Sequence, residues 1–327
     1  ELSQYFGVIL FLGIFELPNI KKMNKIVCSI FVLLIIGIML LGCNSQNNKS
    51  ESEKVTISVS ILPQKYLIDR ITDSAIEVNV MVPPGTSPEM YEPSPVQMKG
   101  VSNSALYFAV GPLEFESTIL PRIKELNPDI RFVDLSKGVN LIEGHEHREI
   151  MGEDEHHTCY DPHIWTSTSE FKQMAIGTCK ELCNLFPEKK LQFEGNLRNL
   201  ERDINEVDSL VKKIIVSAAT KKFLIYHPAL SYFAREYGLT QIAIEADGKN
   251  PSAHQLAELI KLAKSEKLNA VFIQSQFDSR NAEILAKEIG GEVLIIDPLG
   301  YDWLGNMYDL ASKLSKALMS KKMVENE

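Results

Sequence analysis

The sequence lacks an excess of basic residues. Its 327 residues include 34 lysines and arginines against 43 aspartates and glutamates, which gives a net charge of −9 and a pI of about 5.4. No nucleic-acid partner is therefore expected, whereas this charge suits a cationic one. The apolar content of 45% is that of an ordinary globular protein, and the length allows two domains with their own cores.

Several motifs are also missing. The sequence has no HExxH segment of a zinc hydrolase. Glycine-rich helix starts of the kind that bind phosphate, and sets of stacking aromatic residues, are not evident either. These absences argue against a metallohydrolase and against receptors for anions or sugars.

Cysteine is scarce as well. Of five cysteines, Cys28 and Cys43 fall in the N-terminal region, and Cys159, Cys179 and Cys183 follow later. In an exported protein, Cys159 could form a disulfide with one of the last two. Those two lie four residues apart on a predicted helix, which is a poor geometry for bridging each other. Small buried thiols are the alternative.

The N-terminal region resembles a bacterial lipoprotein signal. The first methionine is Met23, a nearly unbroken apolar run follows it, and the segment ends in Leu-Leu-Gly-Cys at Cys43. We expect residues 1–22 to be an upstream extension outside the functional protein, 23–42 a signal peptide, and Cys43 the lipid-attachment site. Polar residues 43–54 then form a flexible tether. A transmembrane anchor is the alternative, because the apolar run approaches the length that spans a bilayer.

From residue 55 onward, β-rich runs alternate with helical segments. This alternation predicts an α/β fold of two lobes, 55–186 and 219–320, each with a mostly parallel sheet flanked by helices. Between them, 187–218 has apolar residues at helical spacing, which predicts one long rigid helix that joins the lobes. A coiled coil is a weaker interpretation, because its heptads are irregular. The predicted strands are 55–61, 77–82, 105–110, 131–135, 222–226, 240–244, 269–273 and 292–296.

Four candidate metal ligands follow predicted strands, where the carboxyl ends of parallel strands form binding sites. Glu89 and His163 come after strands of the first lobe. His227 and Asp297 come directly after strands of the second lobe. Two imidazoles and two carboxylates suit Zn²⁺, and also Mn²⁺ or Fe²⁺. Each residue alone has a simpler structural explanation, so the combination is what indicates a metal site.

Prolines stiffen these positions. Glu89 lies in PPGTSPEMYEPSP, residues 83–95, and the other three candidates are next to or near a proline. A fixed φ lowers the entropy lost when ligands are held around an ion. We expect Tyr91 and Trp165 to wall this site rather than bind metal.

Glu245, Asp247 and Lys249 follow another strand end. We interpret them as an ordinary polar loop, with a place at the cleft as the alternative.

Longer motifs carry a specific resemblance over nearly all of 55–320. They are PPGTSPEMYEPSPVQM, VGPLEFE, DPHIWTS, YHPALSYFAREYGL, NPSAHQLAELI and IIDPLG. In these segments the chain resembles the substrate-binding lipoproteins of zinc and manganese ABC importers, the cluster A-I or zinc-uptake type. The resemblance implies two lobes joined by a rigid helix and a buried metal between them. It places the four ligands on Glu89, His163, His227 and Asp297.

The first ligand departs from the pattern of that family. Relatives usually read Pro-His-x-Tyr-Glu-Pro, whereas this chain reads Pro-Glu-Met-Tyr-Glu-Pro, so Glu89 replaces a histidine. His227 is typical of zinc-type members, yet two histidines and two acids are the manganese-type count. We expect zinc, with manganese or iron as alternatives.

A histidine-rich acidic loop, 143–157, favours zinc. It contains His145, His147, His156 and His157, and such a concentration of imidazoles prefers zinc or copper to manganese. The resemblance implies a metal-collecting or sensing segment. A solvated acidic loop without function is the alternative.

Together these features predict an extracytoplasmic solute-binding protein that captures zinc and delivers it to an ABC permease. We expect a monomer without enzymatic activity, attached by lipid to the cell membrane, on the periplasmic side in a Gram-negative cell. A zinc hydrolase is the rival function from another class, since zinc with an open coordination position can activate water. A surface adhesin is a third possibility, but it would not explain the four ligands.

Overall fold

Eight short strands build two parallel sheets in the computed structural model, which describes residues 55–144, 159–245 and 248–319. Helices flank each sheet, so the predicted α/β fold class is confirmed. The signal peptide, the tether and Cys43 lie outside the described residues, as does most of the histidine-rich loop with its four histidines. Within the three described ranges, no helix combines the length and apolar character needed to cross a bilayer.

The two sheets have the same topology. The strands of the first are β1 (Thr56–Val59), β2 (Glu77–Val80), β3 (Leu106–Ala109) and β4 (Arg131–Asp134). Those of the second are β5 (Lys222–Ile225), β6 (Thr240–Ala243), β7 (Ala270–Gln274) and β8 (Glu292–Ile296). The orders are β2-β1-β3-β4 and β6-β5-β7-β8, with every pair parallel. Strand order reverses beside β1 and β5, and such a reversal opens a crevice at the carboxyl ends.

The helices follow the strands in α/β fashion. They are α1 (Leu62–Thr72), α2 (Pro95–Ser102), α3 (Glu114–Leu126), α4 (Thr168–Leu185), α5 (Lys190–Ser217), α6 (Ser231–Tyr237), α7 (Ala253–Ser265), α8 (Arg280–Ile289) and α9 (Trp303–Leu318). At the start of α2, the Ser94 hydroxyl accepts a hydrogen bond from the Gln97 amide and Pro95 takes the first position. Serine at the cap followed by proline at the first helical position is a common start of a helix.

The long helix α5 runs for 28 residues. It begins three residues later than predicted, because Pro187–Lys189 forms a 3₁₀ turn that separates it from α4. One face, including Leu200, Ile204 and Val207, is buried. This face packs against α1 and α4 of the first lobe and against α9, which follows the last strand. The helix is therefore a support shared by both lobes rather than a strand of a coiled coil.

One apolar core extends through both lobes. It contains Val59 of the first sheet, Leu200 of α5 and Phe272 of the second sheet. Trp303, at the start of α9, stacks on Phe171 of α4 with ring centroids 3.8 Å apart. A smaller core lies within the second lobe. Because interiors are close-packed, the shared core opposes free movement of one lobe against the other.

The later cysteines are free thiols in the described residues. Cys159 is exposed and Cys179 is buried, and the Sγ atoms of Cys179 and Cys183 are 3.9 Å apart. The disulfide considered for Cys159 is not formed in this structure.

Candidate metal centre

Two buried imidazoles from opposite lobes meet at their Nε2 atoms. His163 precedes the 3₁₀ turn Ile164–Thr166, and His227 follows β5. Their Nε2 atoms are 3.3 Å apart, and the residues are only 5% and 6% exposed. Two ring nitrogens this close cannot both carry a proton without repulsion, so the pair requires a shared proton or a cation between them.

Glu89 brings a carboxylate to the same point. It lies on the 3₁₀ turn Pro88–Met90 of the proline-rich loop 83–95, so the backbone that carries it is stiff. Its Oε1 atom is 3.2 Å from His227 Nε2 and 3.8 Å from His163 Nε2. One carboxylate oxygen thus faces both imidazoles.

The three atoms form a triangle of suitable size for one ion. Potential ligand atoms of Glu89, His163 and His227 all lie within 4.8 Å of one another. Tetrahedral zinc with bonds of about 2.0–2.1 Å places neighbouring ligand atoms about 3.3 Å apart. Two sides of the triangle, 3.2 and 3.3 Å, match that spacing, and the third, 3.8 Å, is longer.

Each imidazole is held by a carboxylate on its other nitrogen. Asp161 Oδ1 is 2.8 Å from His163 Nδ1 and also accepts the His163 backbone N–H. Glu245 Oε1 is 2.6 Å from His227 Nδ1. Such partners fix the tautomer that leaves Nε2 facing a metal. Both Nε2 atoms are therefore directed at the centre by the protein itself.

The role of Glu245 contradicts our preferred interpretation of it as part of an ordinary polar loop. The residue is 8% exposed and contacts a proposed ligand directly. The signal that could have identified it is its position just after β6, the strand that pairs with β5 and so ends beside His227. Asp247 lies outside the described residues, and Lys249 is exposed.

The charges of the centre shift the pKa values of its members. Burial lowers the pKa of His227, but hydrogen bonds to Glu245 and Glu89 and their charges outweigh burial and raise it to about 9. Burial raises the pKa of Glu89, but His227 and His163 outweigh it and lower that pKa. The Asp161 pKa is lowered too, because His163 outweighs burial. Without a metal, His227 is thus an imidazolium between two carboxylates.

Asp297 follows β8, as predicted, but its carboxylate is engaged elsewhere. Its Oδ1 atom accepts hydrogen bonds from Gln276 Nε2 at 3.2 Å and from the Leu299 backbone N–H at 3.3 Å. Asp297 does not belong to the group of atoms within 4.8 Å of one another. The structure therefore brings three of the four predicted residues together and holds the fourth on a neighbouring loop.

A small cavity adjoins the imidazoles. Its volume is about 20 Å³, and its lining includes His163, His227, Trp165, Gln276 and Pro298. A cavity needs about 10–15 Å³ to hold one water molecule, so this space suits a water molecule or an ion and no organic ligand. Trp165 lines the site, as expected. Tyr91 instead packs edge-on against Phe115.

Comparison with known families decides the relationship. The family model described as "Zinc-uptake complex component A periplasmic", ZnuA, matches residues 57–317. The chain belongs to this family. The predicted relationship to zinc-uptake receptors is thereby confirmed.

Individual ZnuA relatives agree with this assignment. The chain is 26% identical over 282 residues to the high-affinity zinc uptake system protein ZnuA of Bacillus subtilis, covering 83% of this chain and 88% of that protein. It is 26% identical over 284 residues to the zinc-binding lipoprotein AdcA of Streptococcus pneumoniae, covering 85% of this chain but only 56% of that longer protein.

Solved structures show the same ZnuA architecture. A crystal structure of ZnuA has 34% identity and a TM-score of 0.74, and the match covers 81% of this chain and 100% of that one. The periplasmic zinc-binding protein TroA of Treponema pallidum, at 20% identity, shares the fold with a TM-score of 0.68 over 82% of this chain and 100% of that one.

Proposed function

We propose that this ZnuA-family protein binds one zinc ion between its lobes and delivers it to an ABC permease. The observation that carries the proposal is the triangle of His163 Nε2, His227 Nε2 and Glu89 Oε1. Both imidazoles are buried, and each has a carboxylate on the nitrogen that faces away. Metal-binding histidines commonly have this arrangement. Asp297 is the proposed fourth ligand.

Zinc is the proposed cargo because of the donors and the family. Two imidazoles and one carboxylate suit a borderline cation, and the relatives named above are zinc-uptake or zinc-binding proteins. Manganese or iron is the second candidate, since a carboxylate stands at position 89. The attachment to the cell membrane through Cys43, the extracytoplasmic location, the monomeric state and a metal-collecting role for His145, His147, His156 and His157 are parts of the same proposal.

A receptor fits the site better than a hydrolase does. A zinc hydrolase needs an open coordination position and room for its substrate beside the metal. The cavity here, of about 20 Å³, leaves no such room. We therefore propose that the protein is not an enzyme.

Metal titration tests the proposal. The purified protein, stripped of metal, should bind one zinc ion tightly in competition with a chelator. Replacement of His163 or His227 by alanine should weaken binding at least about a hundredfold. Each substitution removes a metal ligand and leaves the carboxylate that orients it without a partner. Binding that is unchanged in both variants would refute the site, and zinc-dependent turnover of generic esters or peptides would favour the hydrolase.

A further inference from the structure

The Gln276 side-chain amide donates a hydrogen bond to Oδ1 of Asp297, the proposed fourth metal ligand. Resting on the zinc-binding function proposed above, we propose that Gln276 competes with the bound ion for Asp297 and thereby sets how fast the ion is released. Gln276 lines the cavity beside His163 and His227, and its Nε2 atom lies 3.2 Å from Asp297 Oδ1.

The Oδ1 atom of Asp297 has no free acceptor position in this arrangement. Each carboxylate oxygen has about two acceptor positions, and Oδ1 already accepts from Gln276 and from the Leu299 N–H. A metal that takes Oδ1 must displace one donor. The Leu299 donor is a backbone N–H two residues away and is fixed in place, so the flexible side chain of Gln276 is the one that yields.

The loop that carries Asp297 is itself fastened. The Trp165 indole N–H donates to the Pro298 carbonyl at 2.9 Å, and the Gly300 N–H donates to the Asp297 carbonyl at 3.2 Å. Trp165 is fully buried. The exchange is therefore a movement of side chains at a fixed backbone, which needs no opening of the shared core.

The side-chain oxygen of Gln274 is a second possible acceptor for the Gln276 amide. Gln274 lies two residues earlier in a turn closed by a bond from the Phe277 N–H to the Gln274 carbonyl, and both glutamines line the cavity. Gln274 is 3% exposed, and its Nε2 donates to the His227 carbonyl. Its buried Oε1 has no hydrogen-bond partner within the described residues. A buried acceptor without a partner is costly, and in this proposal Gln274 Oε1 receives the Gln276 amide when the ion takes Asp297.

The two glutamines thus form an amide switch. With Gln276 on Asp297, the site holds three ligands and a fourth position through which an ion can enter or leave. With Gln276 on Gln274, Asp297 is free to coordinate. Competition of this kind weakens retention, which suits a receptor that must give up its cargo.

Zinc dissociation from the full-length protein measures the switch. After loading with zinc, the ion is chased with an excess of chelator in a stopped-flow instrument. Gln276→Met keeps the length of the side chain but removes the donor, and we expect dissociation about tenfold slower, the size of a net hydrogen bond to a charged group. Gln276→Ala should act in the same direction. An unchanged or faster dissociation in both variants overturns the proposal.

Two backgrounds establish that the effect passes through the proposed partners. Asp297→Ala should itself speed dissociation, and adding Gln276→Met to it should have no further effect. If Gln276→Met slows dissociation as much in the Asp297→Ala background as in the wild type, the proposal is overturned. Gln274→Met should speed dissociation in the wild type but not beside Gln276→Met. If Gln274→Met still speeds dissociation in the Gln276→Met background, it acts through the bond from Gln274 to the His227 carbonyl. That result would refute the role of Gln274 as the acceptor for Gln276.

Matched controls separate this inference from the proposed function. Gln173→Met makes the same chemical change on an exposed position of α4 and should leave dissociation unchanged. The melting temperature of each metal-free variant shows whether the substitution acts only on the fold. If the wild-type protein binds no zinc, the proposed function fails. If it binds zinc and Gln276→Met leaves its release unchanged, only the switch fails.

Discussion

The Nδ1 atom of His227 lies 2.6 Å from the Oε1 atom of Glu245, and both residues are buried. The carboxylate accepts the Nδ1 proton, so Nε2 is the nitrogen that faces the centre and is left to bind an ion once its proton is lost. Asp161 does the same for His163 at 2.8 Å. The two lobes therefore each contribute an imidazole together with its own orienting acid.

Loss of the charge of Glu245 should weaken zinc binding. In Glu245→Gln the amide oxygen can still accept the Nδ1 proton, but the imidazole becomes a less basic ligand, and we expect affinity to fall about tenfold at pH 8. Competitive chelator titration measures the change. Glu258→Gln, on the exposed face of α7, is the matched control. Equal affinities in the two variants would contradict an orienting role.

Zinc binding should release a proton from His227. Its pKa is raised to about 9 in the metal-free fold, so at pH 7 the imidazole is charged and the ion must displace its Nε2 proton. Affinity should therefore rise about tenfold per pH unit between pH 7 and 9 and level off above. Calorimetry at one pH in buffers of different ionisation enthalpy counts the protons released, and a count near zero at pH 7 would contradict this protonation state.

The same raised pKa predicts the stability of the metal-free protein. A histidine whose pKa is about 9 when folded and about 6.5 when unfolded stabilises the fold fully below pH 6.5, and the contribution is lost as pH rises through 9. Denaturant unfolding should show a decrease over that interval. His227→Gln should flatten it, and an identical pH profile in the variant would assign the decrease to other groups.

Glu89→His should shift metal preference toward zinc. The substitution replaces a hard carboxylate oxygen by an imidazole nitrogen, which zinc favours more than manganese does. We expect zinc binding to be retained and the ratio of zinc to manganese affinity to rise at least about tenfold. Glu89→Ala should weaken both metals, and Glu92→Ala, exposed in the same loop, should weaken neither. If Glu89→Ala leaves affinity and preference untouched, Glu89 is not a ligand.

Trp303→Phe should destabilise the join between the lobes. The Trp303 indole donates to the buried Trp165 carbonyl at 2.7 Å. Phenylalanine would keep a ring against Phe171 but leave that carbonyl without its donor, at a cost of about 1–3 kcal/mol in the free energy of unfolding. Tyr308→Phe, at a 38% exposed position of the same helix, should change it by less than about 0.5 kcal/mol. Unfolding in denaturant compares them, and equal stabilities would show that the bond contributes nothing.

Much of the architecture could be predicted because it depends on local periodicity. The predicted strands coincide with β1 to β8 within two residues at each end. The differences arise at boundaries. The predicted strand 77–82 ends at Val80, and Pro187 moves the start of the long helix to Lys190, since strand ends and proline turns depend on local contacts.

The contacts within the site were harder to predict from the sequence, because they depend on which strands are neighbours in the sheet. His227 could be found at the end of β5, but the importance of Glu245 follows only from the pairing of β6 with β5. Similarly, the position of Asp297 after β8 was predicted, whereas its bond to Gln276 requires the pairing of β7 with β8. Helix α9 was not predicted, although it supplies Trp303 to the shared core.

The positions of the two tryptophans have a practical consequence. The chain contains only Trp165 and Trp303; both are buried, and the Trp165 ring lies 5.2 Å from the His163 ring. One of the two indoles therefore lies beside the His163 imidazole, and the other is hydrogen-bonded to the carbonyl of that tryptophan. Loading or discharge of an ion should therefore change the indole fluorescence of the protein, which could be followed without any label.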